Sequence, residues 1–250
     1  MKIRLIRHAT MQITIGGVKL LVDPLFSQAD AMDPISNSPN QRRNPLVPLP
    51  VSIEELLNAD AILLTHTHRD HFDTVAIERL PEDKLLFCQP ADEKKLKGFG
   101  FTKVHAINEK TKWQEITIIR TGGQHGTGDI GREMGTVSGY VLQLAGNSEL
   151  YIAGDTIWCD EVKEALDTYL PKVSVVFAGA AQFLTGDPIT MTAKDIAAVC
   201  QSNLTMKVVA IHMEAFNHCL LLRKELQEFV HQQHLSEQVL IPDDGEELSF

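Results

Sequence analysis

The chain has few cysteines, few aromatic residues and no long apolar run. Its four cysteines are dispersed and form no Cys-x-x-Cys pair, which argues against a disulfide framework. No stretch approaches the ~20 apolar residues that a membrane span needs, and the amino terminus lacks the apolar core of a signal peptide. These absences predict a cytoplasmic protein with reduced thiols and no membrane association.

Positive charge is also scarce. Lysine and arginine total 23 against 33 aspartate and glutamate residues, a formal net charge of −10. This balance disfavours non-specific binding to nucleic acid or to an anionic membrane, so we expect a small-molecule substrate. The 250 residues, 44% of them hydrophobic, suffice for one α/β domain over residues 1–250, although length alone allows two. Self-association as a homo-oligomer stays open.

Histidine, in contrast, is concentrated in one short segment. Residues 65–71 read Thr-His-Thr-His-Arg-Asp-His, directly after the apolar residues 61–64, which predict a short buried strand. Imidazole and carboxylate groups are ligands of zinc and similar divalent metals. A strand alternates its side chains between two faces, whereas a tight loop leaving a strand can direct several ligands at one point. The segment therefore predicts a metal site; the alternative is a solvated histidine-rich loop.

Three more polar residues follow apolar, strand-like segments. His125 comes after residues 115–120, Asp155 after residues 149–152 and His212 after residues 208–211. Sites in α/β proteins are usually built from polar residues at strand ends. These three residues are therefore candidates to complete the site.

Together, the motif and these residues resemble the metallo-β-lactamase-fold hydrolase superfamily. Four segments narrow the resemblance to the branch that contains ascorbate-6-phosphate lactonases and N-acylphosphatidylethanolamine phospholipase D: residues 8–10, 23–24, 153–156 and 211–213. The resemblance implies an α/β fold, specifically a four-layer αββα sandwich.

The resemblance also implies a binuclear metal site with seven protein ligands. One ion is expected on His66, His68 and His125, and the other on Asp70, His71 and His212, with Asp155 bridging. Zinc is expected ahead of manganese or iron. A metal-bound hydroxide would then hydrolyse a phosphodiester or a lactone, including a phosphorylated lactone. The resemblance gives Asp70 a further catalytic role, to orient the hydroxide or receive its proton.

Five residues outside the ligand set are weaker candidates. Asp23 either supports a ligand histidine or caps the turn before Pro24. The resemblance places His8 near the site mouth, but a core or surface histidine is equally compatible. Glu214, Asn217 and His218 follow His212 closely, and we assign His218 as a catalytic general acid or substrate contact; the alternative is a structural contact.

Two irregular stretches are also predicted. Residues 23–50 carry six prolines and are interpreted as a substrate-side loop, against a plain disordered excursion. Residues 121–135 are rich in glycine and are predicted to form a loop that approaches the metal closely.

Two other functions compete with hydrolysis. Diiron oxidoreductases reuse this fold, but they carry glutamate where this chain has His68, together with a flavodoxin module that is absent here. A non-catalytic metal-binding scaffold is the other alternative, and it would have no reason to keep seven candidate ligands.

Overall fold

The computed structural model describes all residues from Met1 to Phe250. Two seven-stranded mixed sheets form its centre. The first sheet has the strand order β14-β1-β2-β3-β4-β5-β6. Its strands are β1 (Lys2–Arg7), β2 (Thr10–Ile15), β3 (Val18–Val22), β4 (Ala61–Leu63), β5 (Leu86–Cys88), β6 (Val104–Ala106) and β14 (Glu247–Ser249).

The second sheet has the order β13-β12-β11-β10-β9-β8-β7. Its strands are β7 (Lys110–Trp113), β8 (Ile116–Thr121), β9 (Gly139–Leu144), β10 (Asn147–Ile152), β11 (Val173–Phe177), β12 (Lys207–Ile211) and β13 (Val239–Leu240). The last two strands of the chain lie at sheet edges, β13 beside β12 in the second sheet and β14 beside β1 in the first.

The chain forms seven α-helices, of which all but α4 pack on the outer faces of the sheets. They are α1 (Ile53–Leu57), α2 (Thr74–Arg79), α3 (Glu93–Gly98), α4 (Gly128–Met134), α5 (Asp160–Tyr169), α6 (Ala193–Ser202) and α7 (Arg223–Gln232). One apolar cluster of 23 buried residues lies between the sheets. A second packs α5, α6 and α7 against the second sheet, and a third packs α1, α2 and α3 against the first. The predicted four-layer αββα sandwich is confirmed.

The glycine-rich stretch differs from its prediction. Residues 128–134 form α4 instead of continuing a loop, and no residue of this helix is buried. A Cβ atom on Gly131 would lie 2.6 Å from the carbonyl oxygen of Gly126, so glycine is needed inside the helix. The sequence misled because glycine disfavours helices and because an exposed helix shows no apolar stripe.

The strand directions bring the predicted site residues to one edge of the sandwich. Strands β1, β3 and β4 run parallel to one another in the first sheet. Strands β8, β10 and β12 do so in the second. The loops that leave the carboxyl ends of these strands carry the candidate ligands, as is usual for α/β sites.

Candidate metal centre

All seven predicted ligands converge at this edge, with Asp155 at the centre. The Asp155 carboxylate lies 3.2 Å from Nε2 of His71, 3.3 Å from Nε2 of His125, 3.2 Å from Nε2 of His212 and 3.8 Å from Nε2 of His66. Asp155 is thus the residue that touches members of both predicted ligand sets.

Each predicted ligand set also forms a compact group of its own. The ligand atoms of His66, His68 and His125 all lie within 4.8 Å of one another. In the other set, Oδ2 of Asp70 is 3.7 Å from Nε2 of His71 and 3.8 Å from Nε2 of His212. Ligands about 2.1 Å from one tetrahedral ion are about 3.4 Å apart, so these separations suit metal coordination.

Three of the residues at the strand ends have left-handed backbone conformations. The φ angles are 60° at His8, 44° at Asp23 and 68° at His212. Such conformations are uncommon for residues other than glycine and cost roughly 1–3 kcal/mol each. The turns direct these side chains from the ends of β1, β3 and β12 into the space between the sheets.

A glycine sets the position of Asp155. Gly154 has φ of 73°, and a Cβ atom there would lie 2.6 Å from the carbonyl oxygen of Ser138. Only glycine allows the chain to pass so close to the start of β9. The close approach delivers the Asp155 carboxylate to the centre of the cluster.

Two ligand histidines have strong hydrogen-bond partners on the nitrogen that faces away from the cluster. Nδ1 of His71 is 2.9 Å from Oδ2 of Asp23, and Nδ1 of His125 donates to the carbonyl oxygen of Ile189 at 2.9 Å. Asp23 also accepts from the backbone and the hydroxyl of Thr65. These contacts leave Nε2 of each ring free to bind a metal, and Asp23 has the supporting position predicted from sequence.

Two of the other three ligand histidines, His66 and His212, have weaker partners. Nδ1 of His66 is 3.1 Å from the Thr65 hydroxyl, and Nδ1 of His212 is 3.7 Å from the thiol of Cys219. A hydroxyl or a thiol orients an imidazole less firmly than a carboxylate does. The four rings are therefore held with unequal strength.

The charges of the cluster are unbalanced. Its carboxylates, Asp23, Asp70 and Asp155, have ion-pair partners among the histidines and none among lysines or arginines. Burial alone would raise the pKa of Asp155, but His212 and His71 outweigh it and hold the pKa well below its usual value. Burial lowers the pKa of His71, but Asp155 and Asp70 outweigh that effect and raise it well above the usual value.

Three buried carboxylates therefore lie among the histidines, and no lysine or arginine compensates them. Buried charge of one sign is costly unless it is compensated. In addition, Nε2 of His66 and Oδ1 of Asp155 are buried without any hydrogen-bond partner. These two atoms have free lone pairs and lie among uncompensated carboxylates, so the site fits the binding of divalent cations.

A cavity of about 210 Å³ opens onto the cluster. Three of the candidate ligands, His68, Asp70 and His125, line it. Ile35, Met134, Phe183 and Ile189 form the apolar wall of the cavity. Substrate pockets are commonly apolar with a few polar groups that fix orientation, and this cavity is at the small end of their size range.

Two further polar residues line the same cavity. His218 is 5% exposed, and burial lowers its pKa to about 4. Its Nδ1 atom has no hydrogen-bond partner. The guanidinium of Arg69 donates to the carbonyl oxygens of Asp33 and Pro34, each at 2.9 Å. His218 therefore lies where the sequence predicted, whereas Arg69 was not identified.

Three weaker candidates do not line the cavity. His8 is fully buried inside the cluster, which agrees with the alternative of a core histidine and not with a position at the site mouth. Glu214 forms an ion pair with Arg223 at 2.6 Å, so its carboxylate is already neutralised. Asn217 is 1% exposed, too deeply buried to contact a substrate.

The side chain of Asn217 instead holds the long loop of residues 23–50. It accepts a hydrogen bond from Asn44 at 2.8 Å and another from the backbone of Ile35 at 2.9 Å. Nothing in the sequence pattern identifies this pair. The buried guanidinium of Arg7 holds the same loop through three carbonyl oxygens. Because Ile35 also lines the cavity, the substrate-side interpretation of the loop is favoured over a disordered excursion.

Comparison with known proteins agrees with the architecture. Residues 19–213 match the model of the β-lactamase superfamily domain. The chain belongs to this superfamily. It is 36% identical to the UPF0173 protein YddR of Bacillus subtilis over the full length of both proteins. It is also 24% identical to an N-acyl-phosphatidylethanolamine-hydrolyzing phospholipase D of Caenorhabditis elegans, over 61% of this chain and 46% of that protein.

A solved structure extends the likeness. The crystal structure of an isothiocyanate hydrolase from Delia radicum gut bacteria superposes with a TM-score of 0.96 at 35% identity, over 100% of this chain and 99% of that one. Other relatives of the metallo-β-lactamase superfamily are described as metal-dependent hydrolases. This chain is accordingly a metal-dependent hydrolase, and the oxidoreductase and scaffold alternatives are not supported. None of its helices is long and apolar enough to cross a membrane.

Proposed function

We propose that this hydrolase holds two divalent ions, zinc ahead of manganese or iron, and acts on a small uncharged electrophile with an apolar substituent. The cavity carries this proposal, since its lining combines candidate metal ligands with an apolar wall. The free cysteines and the acidic net charge support a cytoplasmic enzyme with a small-molecule substrate.

In this proposal the two ligand sets are those expected from the sequence, and both donor sets fit. His66, His68 and His125 would hold one ion; Asp70, His71 and His212 would hold the other, with Asp155 between them. When bound, the ions supply Lewis-acid activation of water and of the polarised substrate. Burial lowers the pKa of His66 and of His212 well below the usual value, which favours the neutral form that binds metals.

An isothiocyanate fits the cavity best. Its reactive carbon carries no charge, and its organic substituent can lie against Ile35, Phe183 and Ile189. The similar structure of the bacterial isothiocyanate hydrolase supports the same choice. Water adds to the central carbon of R–N=C=S to give a thiocarbamic acid, which breaks its C–N bond to release the amine R–NH₂ and carbonyl sulfide. An uncharged lactone presents a comparable carbon electrophile.

Two cavity residues would handle protons. Burial alone would raise the pKa of Asp70, but His71 and His8 outweigh it and hold the pKa well below its usual value, so the ionised carboxylate can accept a hydrogen bond from the attacking water and orient it. His218 is neutral at pH 7, because burial lowers its pKa to about 4. We therefore assign His218 the task of hydrogen bonding to the substrate nitrogen, in place of proton donation as an imidazolium.

A phosphodiester or phosphorylated lactone is the second candidate. Arg69, which lines the cavity, favours it because a guanidinium is a phosphate ligand. Against it, the guanidinium already donates to two carbonyl oxygens, and no other cation lines the cavity.

A substrate panel tests the choice. We expect the zinc-loaded and manganese-loaded enzyme to hydrolyse an aryl-alkyl isothiocyanate faster, per molar substrate, than a γ-lactone or bis(4-nitrophenyl) phosphate. Phe183→Ala should raise KM for the isothiocyanate, whereas Phe250→Ala, an exposed aromatic at the carboxyl terminus, should not. Faster turnover of the phosphodiester, lost in Arg69→Ala, would favour the second candidate.

A further inference from the structure

We propose that His8 is a positioning residue that orients the Asp70 carboxylate and the His212 ring, and that it is not a metal ligand. The inference rests on the proposed metal centre. It concerns a residue outside the seven expected ligands.

The backbone of His8 connects the two sheets at the site. His8 follows β1 of the first sheet, and His212 follows β12 of the second. The carbonyl oxygen of His8 accepts a hydrogen bond from the backbone nitrogen of His212 at 3.0 Å. Both residues have left-handed φ angles, so this link joins two strained turns. The position of His212 is therefore coupled to that of His8 through the main chain.

The ring of His8 is packed between two other rings. Its centroid is 3.6 Å from that of His212, with 35° between the planes, and 4.7 Å from that of Phe216, with 31° between the planes. His8 is fully buried. The His212 ring thus has the His8 ring against one face, which restricts its rotation.

Distance alone would admit His8 as a ligand. Its ring nitrogen belongs to a group with Asp70, His71 and His212 whose ligand atoms all lie within 4.8 Å. The orientation of the rings decides against this reading. Imidazoles on one ion point at it radially, so their centroids are at least about 4.5 Å apart when the bonds are 90° or more apart.

Histidines within one candidate set lie at about this limit or beyond it, whereas His8 lies well inside it. The ring centroids are 5.2 Å apart for His71 and His212, 5.4 Å for His68 and His125, 5.7 Å for His66 and His125, and 4.4 Å for His66 and His68. The 3.6 Å between His8 and His212 is too short for two rings that share an ion, and it is an ordinary stacking distance.

The free edge of His8 instead faces Asp70. Nε2 of His8 is 3.4 Å from Oδ2 of Asp70, and Nδ1 of His8 has no partner. A neutral ring with its proton on Nε2 donates to the carboxylate and leaves no donor unpaired. The donated hydrogen bond fixes the rotation of the carboxylate, so Asp70 presents its lone pairs in one orientation.

The test uses two substitutions that separate the roles of the ring. His8→Phe keeps a ring in the stack but removes the donor, whereas His8→Gln keeps an N–H donor but removes the ring. The exposed His231 on α7 provides the matched control, His231→Phe. Zinc and cobalt affinities of the two ions are measured by competition with a chelator, and folding is checked by circular dichroism.

We expect His8→Phe to lower the affinity for one of the two ions by about 10-fold or more and to leave the affinity for the other nearly unchanged. Residues that orient metal ligands contribute this much. His8→Gln should restore most of that affinity if donation to Asp70 is the main role. If both variants fold and lose one ion to the same large extent, His8 is a ligand and the inference is wrong. Unchanged affinities in folded His8→Phe would also overturn it.

The wild-type protein distinguishes these outcomes from failure of the proposed function. Two ions in the wild-type protein support the metal centre, and the variants then decide the role of His8. If the wild-type protein binds no ion, the metal centre is wrong, and the inference about His8 falls with it. Should His8→Phe fail to fold, His8→Gln alone decides, since a ligand would not be replaced by an amide donor.

Discussion

The two candidate ligand sets share Asp155 but differ in burial and in charge. The set of His66, His68 and His125 is formally neutral, and His68 is half-buried at the cavity. The set of Asp70, His71 and His212 is buried, contains a carboxylate of its own, and reaches the cavity only through Asp70. We call the first set, with two ligands at the cavity, the open set, and the second the enclosed set.

The hydrogen-bond partners sharpen this difference. His71 of the enclosed set contacts a second carboxylate, Asp23, whereas His125 of the open set donates to a neutral carbonyl oxygen. A carboxylate behind a ligand histidine raises its basicity and its hold on the metal. We therefore expect the enclosed set to retain its ion longer under a chelator than the open set does.

The largest effect is expected from Asp155→Ala, which removes the one residue common to both sets. Both ions should bind more weakly, and turnover should fall by about 100-fold or more, while the fold survives. His125→Ala should reduce metal binding mainly at the open set, and His212→Ala mainly at the enclosed set. Metal content, circular dichroism and hydrolysis rate are compared for the three variants. Near-normal turnover in Asp155→Ala would mean that this residue does not join the two sets.

A smaller effect, confined to the enclosed set, is expected from Asp23→Asn. The amide keeps the shape of the side chain but removes the negative charge beside His71. We expect a loss of about 10- to 100-fold in the affinity of one ion and little change in the other. Asp60→Asn, at an exposed aspartate, is the control. Equal weakening of both ions, measured by chelator competition, would remove the distinction between the sets.

We expect low pH to destabilise the folded protein through His218, the neutral histidine that lines the cavity. His218 has a pKa of about 4 when folded and 6.5 as its reference value, so the unfolded chain binds more protons between these values. The contribution of the neutral ring to stability is therefore complete above pH 6.5 and is lost as the pH falls toward 4.

This pH dependence is tested by comparing the free energy of unfolding of two metal-free proteins, the wild type and His218→Phe. Between pH 7 and pH 5 the wild-type protein should lose about 2 kcal/mol more of its free energy of unfolding than His218→Phe does. Urea unfolding at both pH values measures this difference. Parallel losses in the two proteins would show that His218 titrates normally.

The smallest effect is expected from Cys219→Ser. The thiol is 3.7 Å from Nδ1 of His212, a weak contact, so replacing it should change the affinity of the enclosed ion by less than about threefold. Cys200→Ser, at a buried cysteine on α6, controls for loss of a packed thiol. A tenfold change in metal affinity specific to Cys219→Ser would mean that the thiol orients His212 more firmly than the distance suggests.

The sequence predicted those parts of the molecule that local pattern determines. The apolar segments that precede the candidate ligands, residues 61–64, 115–120, 149–152 and 208–211, correspond to β4, β8, β10 and β12, because side chains near in sequence decide these strands. The seven candidate ligands also converge as expected, since each follows an apolar strand.

Features that depend on contacts distant in sequence were not predictable. The role of His8 depends on ring contacts with His212 and Phe216, more than 200 residues away. The pairing of Asn44 with Asn217 spans 173 residues and involves two ordinary amides. The residues of the apolar wall come from three separate segments, and none carries a recognisable motif.

The proposal of a binuclear metal centre is tested by the number of metal ions that each chain binds. Purified protein, emptied by a chelator and reloaded with zinc, is analysed for bound metal after gel filtration, beside Asp70→Ala and His212→Ala. The binuclear centre requires two ions per chain in the wild-type protein, and we expect one in each variant. Saturation at one ion, with Asp70 and His212 both replaceable at no loss, would contradict it.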